Sequence, residues 1–294
     1  MQRRQLLAAL AASPLALSSA FAATAKPIAL RPGVQLYTVR EEFKRDSRGT
    51  LAKIAALGYK EVEFAGYNGH SPAELRRWLD ESGLTAPSVH IDYKTDVDGL
   101  SKIIDDAGVL GHKYVVVPWV DPAEWRDLDG WQRRADRFNH LGARCNEAGL
   151  QFCYHNHHFE FGLLGGERPY DILLARCDAK LVKMELDLFW AAVARQDLLG
   201  LLRRDPDRFP LVHLKQAKAL PWAAGIDPST QNAATAHAVM TDVGPGVIDF
   251  VALLSDPAAR GIKHGFVEHD VPTDAMASLA ASIGSMREWA KGTD

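Results

Sequence analysis

A unit made of a short apolar strand, a polar turn and an amphipathic helix recurs along the chain, and it limits the fold more than any other feature. Nearly continuous apolar strands that alternate with helices are typical of a parallel sheet. Eight such units close into a single (β/α)8 TIM barrel. The pattern predicts eight strands: Val34–Val39, Glu61–Ala65, Ser88–Ile91, Tyr114–Pro118, Gln151–His155, Val182–Leu188, Leu211–Lys215 and Phe266–His269.

Glycines mark the predicted ends of the helices between these strands. The helical patterns Thr50–Leu57, Pro72–Ser82 and Trp131–Ala148 are each followed directly by glycine, the usual residue after a helix. No linker divides the chain, so we expect residues 26–294 to form one barrel domain. The longest irregular stretch, residues 219–246, follows the seventh strand. Such a loop is usually a lid or a binding loop, and disorder is the alternative.

The first 25 residues are predicted to be a cleavable signal peptide rather than part of the fold. Arg3-Arg4 precede an apolar run that is broken by Pro14 and ends in the cleavage-like pattern Ala20-Phe21-Ala22. A twin-arginine signal fits best, and a general secretory signal is the alternative. The run is short for a membrane span, and no cysteine follows the cleavage pattern to carry a lipid. We therefore expect a periplasmic or secreted protein without a stable membrane anchor.

Charge and cysteine content exclude some partners and leave other questions open. The chain has a formal net charge of -3 at pH 7. It therefore lacks the basic surplus that would follow a phosphate backbone, and no nucleic-acid partner is expected. Cys145, Cys153 and Cys177 lack metal-type spacing. One disulfide with a leftover thiol and three buried thiols are both compatible with the sequence.

The stretch Tyr154–Phe161 concentrates histidines and a carboxylate at the end of the fifth predicted strand. In a TIM barrel, this end of a strand faces the cavity where ligands bind. Aromatic residues alternate with the polar ones, as in the wall of a pocket. A run of surface histidines is the alternative.

All eight predicted strands carry polar or aromatic residues at or near their carboxyl ends. Burying so many polar groups is costly unless they bind something. The residues are Gln35, Tyr37, Arg40, Glu63, His90, Asp92, Trp119, His155, Glu185, Asp187, Trp190, His213, Lys215, Glu268, His269 and Asp270.

Three of these residues, Asp187, His213 and Glu268, are the strongest candidates for metal ligands. Carboxylate and imidazole ligands suit a divalent transition metal such as Mn, Co, Zn or Fe, and Mg is less favoured by the imidazole. The fifth strand would then supply the fourth ligand, from His155 or Glu160. Three protein ligands would also leave a workable open site.

Together, these motifs resemble the sugar-phosphate isomerase/epimerase-like proteins of the xylose-isomerase-like TIM-barrel superfamily. The resemblance covers essentially the whole chain after the signal. It implies one bound divalent metal, with Asp187, His213 and Glu268 matching three ligand positions. The motifs are Gly33-Val34-Gln35-Leu36-Tyr37, Leu57-Gly58-Tyr59, Glu61-Val62-Glu63, Tyr154-His155-Asn156-His157, Glu185-Leu186-Asp187 with Trp190, His213-Leu214-Lys215, Val243-Gly244-Pro245-Gly246 and Phe266-Val267-Glu268.

The chain departs from this family at the fifth strand, where the keto-sugar epimerases carry a glutamate that is both ligand and base. Here His155 stands in that position. Dehydratase-like relatives carry a ligand followed two residues later by a catalytic histidine, which corresponds to His157. The resemblance therefore implies β-elimination or hydration of a keto-sugar or keto-glycoside through a metal-stabilised enediolate. An isomerase or epimerase is the first alternative, and a non-catalytic barrel that binds a sugar or a metal is the second.

Within this hypothesis, His157 is the expected base because a neutral imidazole is available near pH 7. Lys215 is expected to donate a proton or a charged hydrogen bond, and an ion pair with Glu185 or Asp270 is its alternative. Glu160 remains a candidate for a second base or a ligand. The residues expected to bind the sugar are Gln35, Tyr37, Glu63, His90, Trp119 and Trp190.

Overall fold

The structure is a computed structural model that describes residues 27–121, 126–220 and 233–291. The predicted signal peptide and residues 221–232 of the predicted long loop lie outside these ranges. In the part that is described, no helix is long and apolar enough to cross a membrane.

Eight parallel strands close into a barrel, which confirms the predicted fold class. Each strand pairs with its neighbour in the chain, and the first also pairs with the last. The strands are β1 (Pro32–Gln35), β2 (Glu61–Phe64), β3 (Thr85–His90), β4 (Tyr114–Val117), β5 (Gln151–His155), β6 (Val182–Asp187), β7 (Leu211–Leu214) and β8 (His264–Val267).

Helices follow the strands, and side-chain caps fix where several of them begin. Ser71 and Glu74 form a reciprocal capping box at the start of the third helix, and Asp96 caps the fourth. The helices are α1 (Arg40–Arg45), α2 (Ser47–Leu57), α3 (Pro72–Ser82), α4 (Val97–Leu110), α5 (Leu128–Glu147), α6 (Pro169–Arg176), α7 (Leu188–Val193), α8 (Leu198–Arg204), α9 (Ala234–Val239), α10 (Phe250–Ser255) and α11 (Ala275–Lys291).

The predicted helix ends are correct for α2 and α3, where Gly58 and Gly83 take left-handed conformations with φ of 108° and 66°. The prediction for α5 began three residues late and ended one residue late, because the side chain of Asp127 caps a helix that starts at Leu128.

The first predicted strand was too long at its carboxyl end. Leu36–Val39 form a 3-10 turn instead of a strand. The cause is local, because the Gln35 side chain accepts a hydrogen bond from the backbone N–H of Tyr37 at 3.0 Å and starts the turn. The eighth strand also lies two residues earlier than predicted, at His264–Val267. Glu268 therefore follows the strand rather than lying inside it.

Two apolar regions stabilise the barrel. The larger one lies between the strands and the helices, and the smaller one consists of the buried side chains Val116, Cys153, Leu211 and Phe266. All three cysteines are buried free thiols, as in the second of the two alternatives that the sequence allowed, and none forms a disulfide. A short antiparallel pair, Gln216–Ala217 with Met240–Thr241, follows β7 and brings residues 233–241 back to the barrel.

Candidate active site

Four side chains predicted as metal ligands come together at the carboxyl end of the barrel. Successive side chains of a strand point to opposite faces, so residues two apart share a face. His155, His213 and Glu268 each lie two residues beyond a member of the smaller apolar region and therefore face the barrel interior above it. Asp187 ends β6. One ligand atom from each of the four lies within 4.8 Å of the others, and all four residues are buried.

His155 is oriented by the end of the fourth strand. Its Nδ1 atom lies 3.0 Å from the carbonyl oxygen of Pro118. A carbonyl only accepts, so Nδ1–H is the donor and Nε2 carries the lone pair. That Nε2 atom lies 3.2 Å from Oδ2 of Asp187. His155, rather than Glu160, therefore belongs to the cluster.

Asp187 is held on both sides by backbone contacts. Its Oδ1 atom accepts from the backbone N–H of Trp190 at 2.8 Å and caps α7. The amide side chain of Asn156 accepts from the backbone N–H of Asp187 at 3.1 Å and donates to its carbonyl at 3.3 Å. Sequence reasoning gave Asn156 no role. These contacts leave Oδ2 directed into the cluster.

The relation between His213 and Glu268 tests whether this cluster fits a metal. His213 Nδ1 lies 2.8 Å from Glu268 Oε2, and that oxygen also pairs with Lys215. Nδ1 itself is a buried atom that has no hydrogen-bond partner among the described residues. Buried polar atoms without partners are rare in folded proteins. Two imidazoles and two carboxylates are ligands that suit a divalent transition metal. The four residues therefore fit such an ion.

The electrostatics of the cluster also favour a cation. Burial alone would lower the pKa of His213, but the carboxylates of Glu185 and Glu268 raise it well above its usual range. The surroundings therefore attract positive charge to this position, either as a proton or as a metal ion.

Lys215 provides a fixed positive charge beside the cluster. Its Nζ atom lies 2.8 Å from Glu268, 2.8 Å from Asp270 and 3.2 Å from Asp187. Burial opposes the charge, but these three carboxylates, Asp187 foremost, raise the pKa of Lys215 well above its usual range. The ion pair with Asp270 that the sequence left open is present, and Lys215 also lines the cavity.

A cavity of about 840 Å³ opens above the cluster. Tyr37 and Trp119 lie on its wall, and 43% and 38% of their surfaces are exposed. Such flat aromatic faces suit the C–H groups of a sugar ring. Sequence reasoning gave no role to His158 or His237, which also line the cavity. The other polar and aromatic residues of the wall include Arg40, His90, Asp92, His155, His157, Phe159, Trp190, Lys215, Glu268 and Asp270.

His157 lines this cavity on the turn after β5. Its ring packs against Phe159 and Trp190, with centroids 5.8 Å and 5.4 Å away, and its buried Nδ1 atom has no hydrogen-bond partner in the part of the chain that the structure describes. Burial, together with the nearby His155 and Lys215, lowers the pKa of His157 well below its usual range. The imidazole is therefore neutral, and it lies on the wall of the cavity.

Glu160, a candidate for a second base or a metal ligand, lies outside the metal cluster. Its Oε1 accepts from the hydroxyl of Tyr154 at 2.5 Å, and its Oε2 accepts from the backbone N–H of His157 at 3.0 Å. Burial raises the pKa of Glu160 to about 7, although both hydrogen bonds oppose this shift. Glu160 is fully buried and is absent from the described cavity wall. The structure thus places it behind the turn that carries His157.

Gln35 and Glu63 are likewise buried beneath the site, not on the described cavity wall. Sugar binding was expected of both, but Gln35 donates to Glu63 at 2.7 Å, and Glu63 lies 2.8 Å from His213. Of the neighbouring residues, His90 does reach the cavity. These contacts belong to a second cluster of potential ligand groups, namely Glu63, His90, Glu185 and His213. Charged residues within the otherwise apolar β2 and β6 were the available sequence signal for it.

Comparison with known families agrees with this architecture. The family model described as xylose isomerase-like TIM barrel matches residues 51–290. The chain belongs to the xylose isomerase-like TIM barrel family. The sequence resemblance to this superfamily is thereby confirmed.

Individual members of the xylose isomerase-like family show how far the likeness extends. An inosose dehydratase from Bacillus licheniformis is 26% identical over 185 residues, which is 61% of this chain and 58% of that protein. A crystallised sugar phosphate isomerase/epimerase from Parabacteroides distasonis is 22% identical, with a TM-score of 0.69 over 88% of this chain and 98% of that one. The IolI protein, crystallised with a bound zinc atom, is 15% identical, with a TM-score of 0.67 over 90% of this chain and 99% of that one. At these identities, the two structures show the fold alone.

Proposed function

We propose that this protein is a divalent-metal-dependent lyase that removes a β-substituent from a keto-sugar, a keto-glycoside or a similar cyclic keto-polyol. The observation that carries the proposal is His157, an imidazole that lines the cavity with its ring 5.0 Å from that of the proposed ligand His155. A neutral imidazole at this position can accept a proton from a substrate bound at the metal site. The likeness to an inosose dehydratase, which is named for removing water, supports the same reaction type.

The proposed metal site consists of His155, Asp187, His213 and Glu268. A divalent ion held there would act as a Lewis acid toward the carbonyl oxygen of the substrate, which makes the neighbouring C–H group more acidic. The identity of the ion does not follow from these ligand types, which suit Mn, Co, Zn or Fe.

The protein residues account for the proton transfers. His157 takes the proton from the carbon next to the carbonyl, and the C–O bond at the β carbon breaks. The imidazolium then returns the proton to the departing oxygen, which leaves as water or an alcohol. Lys215 remains charged because three carboxylates surround it, so it donates a hydrogen bond to the substrate instead of giving up its proton.

The position of Glu160 favours elimination over epimerisation. Epimerisation requires a second group that returns the proton to the opposite face of the carbon. Glu160 was the carboxylate that the sequence offered for this task, and it contacts Tyr154 and His157 behind the turn instead. Elimination requires one base, which His157 supplies.

The test uses purified protein loaded with Mn²⁺, Co²⁺ or Zn²⁺ and incubated with inosose or with 3-keto-glycosides. We expect enone absorbance to appear with at least one of these compounds. His157→Asn should lower turnover by roughly two to four orders of magnitude with metal content intact. The matched control is His158→Asn, because the neighbouring His158 packs on Trp190 at 5.0 Å and is expected to have a smaller effect.

Two outcomes would contradict the proposal. Formation of an epimer without enone or a dehydrated product would indicate an isomerase or epimerase. Tight binding of these compounds without any conversion would indicate a non-catalytic binding barrel.

A further inference from the structure

His213 lies between two groups of buried polar side chains and belongs to both. On one side, its Nδ1 atom lies 2.8 Å from Glu268 and 3.7 Å from Asp187. On the other side, its Nε2 atom lies 2.8 Å from Glu63 and 3.3 Å from Glu185. A neutral imidazole has one lone pair and one N–H group, so it can bind an ion on one side and must donate on the other.

The hydrogen bonds indicate which nitrogen of His213 donates a proton and which one can bind an ion. The contact between Nε2 and the Oε1 atom of Glu63 meets the geometry of a hydrogen bond. A carboxylate accepts, so Nε2–H is the donor. Nδ1 has no hydrogen-bond partner among the described residues and faces Glu268. The lone pair of the neutral ring is therefore on the side of His155, Asp187 and Glu268.

Glu63 is itself held firmly by other side chains. Ser88 donates its hydroxyl to Oε2, and Gln35 donates its amide to Oε1 at 2.7 Å. Glu63 is fully buried and is not on the described cavity wall, so contact with a sugar does not explain its place in the barrel. Its two oxygens are instead directed toward Ser88, Gln35 and His213, and His90 Nε2 also lies 3.1 Å from Oε1.

We propose that Glu63 is a positioning residue that fixes His213 as an Nδ1 metal ligand, with Gln35 and Ser88 holding Glu63 in place. This inference rests on the metal site of the proposed function. It replaces the sugar-binding role expected for Glu63 and Gln35. A carboxylate that accepts the second N–H of a ligand histidine fixes its tautomer and ring orientation and makes the ligand nitrogen more basic.

The test compares Glu63→Gln with the matched variant Glu185→Gln, using Zn²⁺ and Mn²⁺ as the probes. Loss of such a partner usually weakens metal binding by about 10-fold to 100-fold, and we expect this range for Glu63→Gln. Glu185 is equally buried, but its contact with His213 is longer, at 3.3 Å. Glu185→Gln should therefore weaken binding much less. ¹⁵N NMR of the histidine rings should show Nε2 of His213 protonated in the wild-type zinc form.

Three results would overturn the inference, and each has a distinct meaning. Equal metal affinity of Glu63→Gln and wild type would show that Glu63 does not position the ligand. Two ions per wild-type chain, with one lost in Glu63→Gln, would make Glu63 a ligand itself. A wild-type protein that binds neither ion would remove the metal site of the proposed function, and with it this inference.

Ser88→Ala provides an independent variant in case Glu63→Gln does not fold. It keeps the carboxylate of Glu63 but removes one of the donors that hold it. We expect weaker metal binding than in wild type with a smaller effect than that of Glu63→Gln, and unchanged affinity would contradict the proposed role of Ser88.

Discussion

The two carboxylate oxygens of Asp187 have different partners, and Trp190 accounts for one of them. Oδ1 accepts the backbone N–H of Trp190 at 2.8 Å and caps α7, whereas Oδ2 lies 3.2 Å from both His155 and Lys215. One side chain thus stabilises a helix and contributes to the metal site, and the two functions can be separated by substitution.

The first prediction is that Asp187→Asn and Asp187→Ala both lose the metal but differ in stability. Asparagine can still cap α7 through its amide oxygen, and alanine cannot. Loss of a cap costs about 0.5–2 kcal/mol, so the metal-free Ala variant should be less stable than the metal-free Asn variant by this amount. Urea unfolding and elemental analysis measure the two effects. Asp136→Ala, at an exposed ion pair with Arg176, is the control for metal content. Stoichiometric metal in either Asp187 variant would exclude Asp187 as an essential ligand.

The second prediction concerns Lys215→Met, which removes the cation between Asp187, Glu268 and Asp270. Breaking a buried ion pair by removing one partner typically costs about 3–5 kcal/mol. We expect the metal-free variant to be destabilised by about this much, and added Zn²⁺ to recover more stability than it does in wild type. Thermal unfolding with EDTA and with Zn²⁺ gives both values. An unchanged melting temperature in EDTA would show that the three carboxylates do not depend on Lys215.

The third prediction concerns pH and His112, which is far in sequence from the metal ligands and has its own buried contacts. His112 Nδ1–H donates to the carbonyl of Ala86 at 2.6 Å, and Nε2 accepts from the hydroxyl of Tyr67 at 3.1 Å. Burial lowers the pKa of His112 from 6.5 to about 4. Above pH 6.5 the ring is neutral in the folded and unfolded states, and its contribution to stability is complete. Below pH 6.5 the unfolded state binds the proton first, so this contribution falls until about pH 4.

The expected loss from His112 over this window is about 3 kcal/mol in the free energy of unfolding, because each pKa unit corresponds to ~1.4 kcal/mol. Urea unfolding at pH 7.5 and pH 4.5 measures it. His112→Gln should be less stable than wild type at pH 7.5 but should lose less stability on acidification. A variant with the same pH dependence as wild type would assign the acid sensitivity to other groups.

The fourth prediction separates Glu160 from the catalytic residues. Because its carboxylate accepts from Tyr154 and from the backbone of His157, Glu160→Gln should leave metal content unchanged and lower turnover much less than His157→Asn. Steady-state kinetics and elemental analysis of the two variants provide the comparison. A loss of metal in Glu160→Gln would restore Glu160 as a ligand, and a loss of turnover equal to that of His157→Asn would restore it as a base.

The fifth prediction concerns export. Replacing both Arg3 and Arg4 with lysine should retain the protein in the cytoplasm, since a twin-arginine signal is recognised by this pair. Cell fractionation with an immunoblot measures the distribution, and Lys26→Arg, next to the predicted signal, is the control. Unchanged export would exclude the twin-arginine route and leave the general secretory signal in place.

The sequence predicted the barrel because strand periodicity and helix stops are local signals. It also predicted that Asp187, His213 and Glu268 would meet a fourth ligand from the fifth strand, either His155 or Glu160, because carboxyl ends of parallel strands share one end of a barrel. It assigned sugar binding to both Glu63 and Tyr37 and could not tell that Glu63 lies below the ligands, whereas Tyr37 lies beside the cavity as expected. The different positions of Glu63 and Tyr37 depend on the turn after Gln35 and on how side chains from several strands pack together. No single segment of the sequence encodes this packing.

His155 and His157 are two residues apart, yet they belong to different parts of the architecture. His155 is the last residue of β5, where its backbone is constrained by pairing with β6. His157 lies beyond the strand, on a connection, and connections between elements tolerate change far better than the barrel does. The residue proposed to move the proton can therefore be exchanged without altering the strands that hold the ligands. In evolutionary terms, a barrel built this way can acquire a new reaction by changing a few loop residues while keeping its metal site.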